Sequence, residues 1–540
     1  MPRFKLDDRE LPFEKGDTII RAAHRQGIEI PHYCWHPGLS VAANCRMCLV
    51  EIEPPPGRPA MMLDIMHWDE GKRDWVPAKK PKLQPACQQE VSEGMVVRSQ
   101  SSTHVAEARR SVQEFLLVNH PVDCPICDQA GECKLQDYWM SEGRQPKRML
   151  DEPVHKPKGV VFSETIVYDA ERCIACTRCI RVCDELAGDH ALDLRERGNR
   201  FEVVLAPGRK LDGPYSLMTE HVCPVGALTS SHFRFKARVW TLRGSPGVCS
   251  GCATGCNTWV DADPRENRVY RLRPRDNEQV NKYWMCDDGM MTYERQRLGR
   301  VSRAYVGRDS ARSEAAVEDA LKRAATELSK VPKGKLAVVL SAQATCEDNL
   351  VLAELARAVE ARLYLSARGP WQADRVLRNA DANPNRAGAV LVGGDKVGSL
   401  QDLVASVAAG DVQGIVGIGA DADLDSATLA PLGRVGAVAL FLSHDGPLAR
   451  FATVTVPVCS ALEAEGHFVN VKGLAQGFKR AALPREGVLP GWDAAARVGR
   501  GLGLELSYRA AREVRAALQA RLQPPAKAAD TTAAEGASGA

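Results

Sequence analysis

Grouped cysteines constrain this chain more than any other feature of its sequence. Of the 18 cysteines among 540 residues, sixteen lie between Cys34 and Cys286, and only Cys346 and Cys459 lie beyond. The grouped cysteines occur as CxxC units amid glycine, proline and charged residues, whereas structural thiols would be scattered over apolar stretches. The start, MPRFKLDDRE, lacks the apolar core of an export signal. In a long chain of this kind we expect such groups to bind metal rather than to form disulfides.

Composition and charge are those of an ordinary globular protein with several domains. At 540 residues the chain exceeds the size of one hydrophobic core, and we expect about three to five domains. The 44% hydrophobic and 26% charged fractions are typical, and a net charge of +3 gives no indication of a nucleic-acid partner. No apolar run approaches the roughly 18–20 residues of a membrane helix. We therefore expect a cytoplasmic protein that meets a membrane only through partners.

The first group has the spacing of a ferredoxin site. Cys34, Cys45 and Cys48 lie in YCWHPGLSVAANCRMC, and Cys87 follows far downstream. Two close cysteines and two remote ones are typical of plant-type [2Fe–2S] ferredoxins, although the intervals differ. His36 lies near Cys34, but because four cysteines are available we expect it to be a packing or hydrogen-bonding residue.

The second group is short of one cysteine. HPVDCPICDQAGEC contains Cys124, Cys127 and Cys133, and no fourth cysteine lies nearby. His120 stands four residues before Cys124, directly after a helix predicted over residues 103–119 from apolar residues at helical spacing. Its ring can therefore turn into the cysteine loop. We predict that His120 is the fourth ligand.

The third group carries the ferredoxin-type [4Fe–4S] signature. CIACTRC contains Cys173, Cys176 and Cys179, and Cys223 follows in a distant Cys–Pro pair. Cys183 occupies the position that, in two-cluster ferredoxins, binds the other cluster. Because no further cysteines closely precede Cys223, that other cluster would lack its remaining ligands. Cys183 is therefore predicted not to bind iron.

The fourth group is compatible with iron or with zinc. Cys249, Cys252 and Cys256 lie in CSGCATGC, and Cys286 follows thirty residues later in YWMCDDG. Taken alone, a structural zinc ion explains this spacing almost as well as a four-iron cluster. The neighbouring groups favour iron.

The N-terminal segments predict a small mixed domain. Residues 3–20 indicate a hairpin, TIIRAAHRQGI a helix that ends at Gly27, and VEIEP a further strand, which together suit a ubiquitin-like β-grasp. Residues 54–85 are a proline- and lysine-rich insertion with few periodic features. Residues 141–160 indicate a basic, proline-containing linker.

From about residue 335 the sequence predicts a doubly wound α/β domain. The runs GKLAVVLSA, ARLYLSA, AGAVLVGG, VQGIVGIG and VGAVALFLS are typical of buried parallel strands, and EDNLVLAELARAVEA is a helical stretch between them. VGIGADA lacks the third glycine of a dinucleotide-binding loop and indicates a strand-to-helix turn. Cys346 begins a predicted helix and Cys459 ends an apolar strand, so we expect both to be ordinary buried thiols.

The ligand sets, and the motifs that the chain lacks, indicate its function. The sequence contains no GxSxG, HExxH or P-loop motif, so no site for bond-making chemistry is indicated. Four cluster sites in one chain predict an electron relay. The alternative from a different class is a zinc-stabilised interaction scaffold, which a colourless, zinc-loaded and folded protein would support.

The motifs together resemble the large iron–sulfur subunit of NADH:quinone oxidoreductase, respiratory complex I. The stretches that carry the resemblance are IPHYCWHPGLSVAANCRMCLVEIE, HPVDCPICDQAGECKLQD, RCIACTRCIRVCDE, CPVGALTS, CSGCATGCNTWV, NKYWMCDDG and EAEGHFVNVKGLAQ. The resemblance implies that a flavin-bearing, NADH-oxidising partner passes electrons one at a time through this chain and other iron–sulfur subunits towards quinone. It also implies a peripheral position on the cytoplasmic face of the inner (plasma) membrane, reached through partner subunits.

The resemblance further implies the cofactors and their ligands. One [2Fe–2S] cluster and two to three [4Fe–4S] clusters are expected, with no molybdopterin, no flavin and no catalytic residue in this chain. The implied ligand sets are Cys34, Cys45, Cys48 and Cys87 for [2Fe–2S]; His120, Cys124, Cys127 and Cys133 for the first [4Fe–4S]; Cys173, Cys176, Cys179 and Cys223 for the second; and Cys249, Cys252, Cys256 and Cys286 for an optional third, off the main electron route.

The chain departs from the family pattern in three ways. The interval from Cys48 to Cys87 is longer than usual because of the insertion, and many family members lack a cysteine at position 183. The region related to molybdopterin oxidoreductases is short, with room for one α/β lobe after about residue 300. A molybdenum site is therefore not expected.

We predict a multidomain α+β and α/β chain. Its expected parts are a β-grasp [2Fe–2S] ferredoxin-like domain (1–100), a His/Cys-ligated [4Fe–4S] segment (101–150), a ferredoxin-type [4Fe–4S] domain (151–240), a molybdopterin-oxidoreductase-type [4Fe–4S] domain (241–300), a degenerate molybdopterin-oxidoreductase-like α/β domain (301–520) and a disordered tail (521–540).

The nearest alternative is an electron-transfer subunit of an NAD-linked hydrogenase or formate dehydrogenase, which shares the N-terminal cluster module. A hydrogenase would need more cysteines in the C-terminal half, where only Cys346 and Cys459 occur. A formate dehydrogenase would need a longer chain and a cysteine or selenocysteine ligand to its metal.

Overall fold

The computed structural model describes residues 1–143 and 148–522, which divide into two units. The first unit comprises Met1–Gly244 and Trp259–Met291, and the second comprises Ser245–Thr258 and the described residues from Thr292 onwards. Within the described residues, no helix combines the length and the hydrophobicity that a membrane crossing requires. Residues 144–147 of the predicted linker and residues 523–540 of the predicted tail lie outside the described residues.

The first unit consists of short strands and helices joined by long irregular segments. Its strands are β1 Arg3–Leu6, β2 Arg9–Pro12, β3 Leu49–Glu53, β4 Met62–Asp69, β5 Asp74–Pro81, β6 Gln84–Pro85, β7 Val96–Arg98, β8 Val160–Val161, β9 Ile166–Tyr168, β10 Leu192–Arg195, β11 Glu202–Leu205, β12 Leu228–Ser230 and β15 Arg268–Pro274; β13 Arg243–Val248 and β14 Asn257–Asp263 lie where the chain passes between the units. Its helices are α1 Ile19–Arg25, α2 Thr103–Leu117, α3 Lys134–Glu142, α4 Arg178–Arg181, α5 Leu217–His221 and α6 Asp287–Met290.

The N-terminal part of the first unit is a mixed sheet with one helix. The strand order is β2-β1-β7-β3-β6, with β1 antiparallel to β2 but parallel to β7. Alternate residues of β1, Phe4 and Leu6, share a buried core with Ile19 and Ile20 of α1. The predicted hairpin and helix are confirmed. The helix stops just before Gly27, whose φ of +69° suits a helix C-terminus.

The inserted residues, whose sequence has few periodic features, form a regular hairpin. Strands β4 and β5 pair antiparallel along their whole length in a two-stranded sheet. Near the turn, Trp68 packs edge-on against Trp75 with ring centroids 5.7 Å apart. Because side chains on both faces of the hairpin stay largely exposed, its strands lack the apolar–polar alternation that predicts a half-buried strand.

The long helix α2 links the first sheet to the cysteine loop that follows. It begins after Ser102, whose hydroxyl accepts the N–H of Val105 at 3.3 Å, and confirms the helix predicted over residues 103–119. The side chain of its buried Gln113 makes two hydrogen bonds: Oε1 accepts one from the Tyr33 hydroxyl at 2.5 Å, and Nε2 donates one to the carbonyl of Leu135 in α3 at 3.3 Å. One amide side chain therefore connects three segments of the unit.

The strands nearest to the third cysteine group in the sequence form two small sheets. One has the order β12-β9-β8, and the other pairs β10 with β11. Helix α4 continues without a break into a π-helix, Val182–Ala187, which ends at Gly188 with φ +70°. Segments of π-helix occur frequently at functional sites.

The second unit alternates strands and helices, as the sequence predicts. Its strands are β16 Ala304–Val306, β17 Ser313–Ala315, β18 Leu336–Ser341, β19 Arg362–Ser366, β20 Val397–Ser399, β21 Gly414–Ile418, β22 Ala437–Leu442, β23 Val454–Pro457, β24 Gly466–Val469 and β25 Ala475–Phe478. Its helices are α7 Thr292–Arg295, α8 Val317–Leu328, α9 Cys346–Ala358, α10 Arg386–Gly393, α11 Leu400–Ala408, α12 Ser426–Leu429, α13 Gly491–Gly501 and α14 Ala511–Leu522.

Six parallel strands form the middle of the second unit. The sheet has the order β17-β16-β23-β22-β21-β18-β19-β20, in which β18 to β23 are parallel and β16 and β17 add an antiparallel edge. Strands β18 and β22 are buried along their whole length because a core cluster covers each face of the sheet. The predicted α/β architecture of this region is confirmed.

One of the predicted strands is a helix. AGAVLVGG, expected to be a buried parallel strand, forms most of α10, in which Gly388, Ala389 and Val392 are buried while Val390 and Leu391 are about half exposed. A short apolar run does not distinguish a strand from a helix by periodicity. The strand that pairs with the outer side of β19 is instead β20, a three-residue element that follows α10 in the chain.

The core of the second unit gives a direct stability prediction. Leu350 in α9 is 0% exposed and belongs to the larger core cluster. Replacing Leu350 by alanine removes buried apolar contacts and leaves a cavity, so we expect the free energy of unfolding to fall by about 2–5 kcal/mol. Denaturant unfolding of the full chain measures this. Leu298→Ala, at a side chain that is 73% exposed, should change it by no more than about 0.5 kcal/mol; equal effects of the two variants would contradict the assignment of the core.

Candidate metal centres

The four cysteines of the first predicted set lie together in the first unit. The thiol of Cys45 hydrogen-bonds to the sulfur of Cys34, and those of Cys48 and Cys87 hydrogen-bond to each other. Cys34 is also close enough to Cys48 for the two charges to interact. Cys45 is half-buried and the other three are buried. The chain therefore brings Cys87, which follows the inserted hairpin, to the same place as the other three.

Backbone N–H groups face the first set. Those of Asn44 and Cys45 donate to the sulfur of Cys34, and the flanking Ala43 and Arg46 adopt left-handed conformations with φ of +51° and +62°. Such conformations cost non-glycine residues about 1 kcal/mol or more. The hydrogen bond between Cys45 and Cys34, together with these N–H groups, lowers the pKa of Cys34, and the same bond raises the pKa of Cys45. The loop thus favours the thiolate, which is the form that binds metal, at Cys34 and the thiol at Cys45.

His36 packs rather than joining the first set. Its ring stacks on Trp284 with centroids 5.0 Å apart, and its Nδ1 accepts the N–H of Gly38 at 3.2 Å. Both contacts agree with the packing role expected from the sequence.

The second predicted set lines one cavity of about 600 Å³. His120, Cys124, Cys127 and Cys133 all contribute to its wall, so the histidine and the three cysteines do converge. Cys127 and Cys133 are buried and Cys124 is exposed. The charges of Cys124 and Cys127 act on Cys133, which places the three sulfurs around a common space.

His120 has the properties of a neutral ligand. It follows α2 directly, and its Nδ1 is buried without a hydrogen-bond partner among the described residues. Burial, assisted by the positive charge of Arg172, lowers the pKa of His120 to about 4. A histidine must be neutral to bind a metal, and a buried nitrogen with no partner is otherwise unfavourable. The residues of this set therefore fit an iron–sulfur cluster.

A glycine fixes how closely the chain approaches the second set. A Cβ atom at Gly226 would lie 2.2 Å from the sulfur of Cys127 and 3.1 Å from Cβ of Gln129. Gly226 follows Cys223 of the third set by three residues, and the intervening Pro224 carbonyl accepts the N–H of Lys134 at 3.0 Å. The segment CPVG thus contacts both sets.

The third predicted set is also brought together in the first unit. Burial raises the pKa of Cys179 well above its usual value, and the charges of Cys176, Cys173 and Cys223 raise it further. The left-handed residues Ala175 (φ +57°) and Thr177 (φ +62°) turn the loop between the cysteines. These four thiols therefore surround one another, as the sequence predicts.

Hydrogen-bond donors surround the sulfurs of the third set. The N–H of Ala175 donates to the sulfur of Cys173 at 3.4 Å, and the hydroxyl of Tyr168 donates to the same sulfur. The N–H groups of Val225 and Leu228 donate to Cys223. Donors of this kind help to set the reduction potential of iron–sulfur clusters.

Cys183 has its own environment. It lies in the π-helix near the backbone N–H groups of Ala191 and Leu192, and the N–H of Ala191 donates to Oδ1 of Asp189 at 3.1 Å. Burial, and then the charge of Asp189, raises the pKa of Cys183 to about 12. That Cys183 does not bind iron stays a prediction.

Sequence reasoning missed the donors and cations that surround these sets. Tyr168 lies in β9, and Arg172 is a buried arginine whose guanidinium pairs with Asp123 at 2.8 Å and Asp169 at 3.4 Å. Arg172 also lines the cavity of His120. The available signal is the alternation of arginine and cysteine in RCIACTRCIRVC, where an arginine directly precedes two of the cysteines.

The fourth predicted set is divided between the two units. Cys249, Cys252 and Cys256 are buried in the second unit, where the N–H of Cys249 donates to the carbonyl of Cys256 at 2.8 Å. Cys286 is buried in the first unit, where it precedes α6 and accepts the N–H of Gly289 at 3.3 Å. Their assembly into one site stays a prediction.

The two cysteines outside the groups differ from each other. Cys346 is 0% exposed and donates to Oδ1 of Asn385 at 3.3 Å, as expected for a buried thiol. Cys459 is half-buried and lines a cavity of about 240 Å³ beside the carboxyl ends of β18, β21 and β22. The expectation that both are ordinary buried thiols is therefore wrong for Cys459, because its strand ends at the open edge of the sheet.

Within residues 1–143 and 148–522, no three His, Cys, Asp or Glu side chains are arranged to hold a single metal ion. The first three sets described above are groups of side chains around a common space.

Three family models match the N-terminal part of the chain. The 2Fe-2S iron-sulfur cluster binding domain matches residues 2–102, the NADH-ubiquinone oxidoreductase-G iron-sulfur binding region matches residues 109–148, and the NADH-quinone oxidoreductase subunit 3, ferredoxin-like domain matches residues 163–229. With the grouped thiols, these matches define an iron–sulfur protein that has 2Fe–2S and 4Fe–4S binding domains. The predicted mixed α/β fold with ferredoxin-like domains is confirmed at this level.

Curated relatives confirm the resemblance more specifically. The chain is similar to proteins named as the G subunit of NADH-quinone oxidoreductase: 33% identical to that of Rickettsia conorii over 70% of this chain and 52% of the relative, 36% identical to that of Streptomyces coelicolor over 65% and 39%, and 35% identical to that of Mycobacterium tuberculosis over 66% and 42%. The chain thus spans about half, or less, of the length of the relatives that it matches.

Solved structures add little. An NAD+-reducing [NiFe]-hydrogenase chain matches 44% of this chain and 91% of its own with 26% identity and a TM-score of 0.36. Acetylene hydratase from Pelobacter acetylenicus matches 48% and 69% with 8% identity and a TM-score of 0.32. Scores this low do not support a statement about fold, so the relation of the second unit to molybdopterin oxidoreductases stays a prediction.

The contact between Gly226 and Cys127 gives a test of the second set. Gly226→Ala would force its new methyl group into the Cys127 sulfur, so we expect the anaerobically purified variant to lose about four iron atoms per chain while it stays folded. Iron analysis and circular dichroism measure this. Gly436→Ala, whose methyl group would meet nothing within 4 Å, should keep the wild-type iron content. Full iron loading of the Gly226 variant would contradict the close approach.

Proposed function

We propose that this chain is an iron–sulfur electron-relay subunit of an NADH:quinone oxidoreductase. The observation that carries the proposal is the cavity in which His120 meets three cysteines, in the same unit as two complete sets of four cysteines. The three matching iron–sulfur family models and the similarity to relatives named as the G subunit of that complex support it. The activity is that of an oxidoreductase complex, in which this chain conducts electrons and has no catalytic residue of its own.

The proposed ligand sets follow the groups described above. We assign Cys34, Cys45, Cys48 and Cys87 to a [2Fe–2S] cluster; His120, Cys124, Cys127 and Cys133 to a [4Fe–4S] cluster; Cys173, Cys176, Cys179 and Cys223 to a second [4Fe–4S] cluster; and Cys249, Cys252, Cys256 and Cys286 to a third.

The chain's own residues bind, shield and tune these groups. The clusters, when bound, supply one-electron oxidation and reduction. Burial of Cys127, Cys133 and Cys179 keeps water from their sulfurs. Backbone N–H groups stabilise negative charge at Cys127 and Cys133, and the Tyr168 hydroxyl does so at Cys173. No proton needs to move at these sites, which agrees with the lack of an acid–base pair in the sequence.

The proposal extends to partners and domains. Electrons would arrive from a flavin-bearing, NADH-oxidising subunit and leave towards quinone through other iron–sulfur subunits, at the cytoplasmic face of the inner (plasma) membrane. No molybdopterin or flavin would bind this chain. We propose a β-grasp form for residues 1–100, in line with the parallel pairing of β1 and β7, and a degenerate molybdopterin-oxidoreductase-like lobe for residues 301–520.

Metal content tests the proposal. Anaerobically purified chain should be brown and should contain about fourteen iron atoms if all four sets are occupied, or about ten if the fourth set is not. Iron, zinc and acid-labile sulfide analysis with visible absorption measures this. A folded, colourless chain that holds zinc would overturn the relay and favour an interaction scaffold.

The role of His120 gives a sharper prediction. His120→Cys replaces a neutral ligand by a thiolate and so adds negative charge, which disfavours reduction, and we expect the reduction potential of that cluster to fall. Redox titration followed by EPR measures the potential.

A second histidine in the same cavity wall provides the matched control. His155 is 80% exposed in its side chain, and its Nδ1 is 2.8 Å from Glu171. His155→Cys should leave the cluster's potential unchanged. If the potential responds to His155→Cys and not to His120→Cys, His120 is not the ligand.

A further inference from the structure

The short helix α4 carries two buried arginines beside the third cysteine set. Arg178 and Arg181 are its first and last residues, and their spacing of three places them on the same face of the helix. Each is 8% exposed, and Cys179 of the third set lies between them in the chain. Two cations are thus buried in one turn of backbone.

Arg181 joins the first and third sets through a single nitrogen atom. Its Nη2 donates to the carbonyl of Cys34 at 2.5 Å and to the carbonyl of Cys176 at 3.3 Å. Its Nη1 donates to the carbonyl of Ser40, in the loop between Cys34 and Cys45. One guanidinium therefore touches a ligand residue of each set.

Arg178 makes the equivalent connection at the other end of the helix. Its Nη2 donates to the carbonyl of Trp35, the residue after Cys34, and its Nη1 donates to the carbonyl of Val222 at 3.2 Å, the residue before Cys223. Each arginine thus holds one loop of the first set against one loop of the third.

The charges of these arginines are not balanced by carboxylates. Both guanidinium groups donate to carbonyl oxygens, and within the described residues neither forms an ion pair, whereas Arg172 pairs with Asp123 and Asp169. The groups whose ionised forms would stabilise the positive charge of Arg178 are Cys176, Cys34 and Tyr138. A buried cation is unfavourable without a counter-charge, and the available counter-charge is that of the two thiolate sets.

We propose that Arg178 and Arg181 are positioning residues that serve the first and third clusters together as a shared cationic group and raise the reduction potential of both. The inference rests on the proposed function, since it requires clusters at both sets. Reduction adds an electron to a group that is already negative, so a nearby buried positive charge favours it. Because the same nitrogen contacts both ligand loops, one substitution should affect both clusters.

The test compares removal of the charge with its retention. In the full chain, purified anaerobically, Arg181→Gln and Arg178→Gln should each lower the reduction equilibrium constant of both clusters by about tenfold, equivalent to about 59 mV for one electron. Arg181→Lys keeps the charge and should restore most of the wild-type value. The cluster of His120 should shift less. Redox titration with EPR detection, alongside iron analysis of each variant, measures all three.

Arg3→Gln is the matched control, because Arg3 is 56% exposed and pairs with Glu10 at 3.4 Å. It should leave all potentials unchanged. Potentials that stay the same in both glutamine variants, or that fall equally in Arg181→Lys and Arg181→Gln, would overturn the inference. If Arg181→Gln loses iron, an Arg181→Lys chain that keeps its iron at wild-type potentials supports a role for the positive charge. An Arg181→Lys chain that also loses iron shows a purely structural role for Arg181 and overturns the inference. Wild-type chain without iron would instead overturn the proposed function.

Discussion

The close approach of buried cysteine sulfurs is the constraint on which the first unit depends. Sulfurs that face one another repel when ionised, so the surrounding chain must supply positive charge from groups held in place. Backbone N–H groups do this at Cys34 and Cys173, where left-handed residues such as Ala43 and Ala175 turn the loop inward. These left-handed residues raise the free energy of the folded loop, and the free energy of binding iron would offset that increase.

The two units are stabilised in different ways. In the second unit, apolar strands buried on both faces specify a sheet, and its architecture follows from hydrophobic patterning. In the first unit most elements are short, and long irregular segments around the cysteines connect small sheets. Metal binding is coupled to folding wherever ligands from distant segments must meet. Under the proposed function, we expect the first unit to depend on bound clusters for order more than the second unit does.

Local patterns in the sequence predict what depends on local spacing. The hairpin of β1 and β2, helix α2 and the convergence of three ligand sets follow from periodicity and from cysteine intervals. The strand prediction for AGAVLVGG is wrong because an eight-residue apolar run contains no period that separates strand from helix, and the exposed hairpin of β4 and β5 has no buried face to reveal it. Contacts such as Arg181 with Cys34 join residues 147 positions apart, and no local pattern encodes them.

Those long-range contacts carry a consequence for electron transfer. When one guanidinium nitrogen is hydrogen-bonded to carbonyls of Cys34 and Cys176, the two sets share a polar environment of low dielectric constant. An electron added at one set draws on the same positive charge that stabilises an electron at the other. Under the proposed function, a substitution that raises one potential through Arg181 would raise the other as well, whereas donors such as Tyr168 act on one set alone. A change at Arg181 would therefore leave the difference between the two proposed potentials, which sets the free energy of electron transfer between the two sites, nearly unchanged.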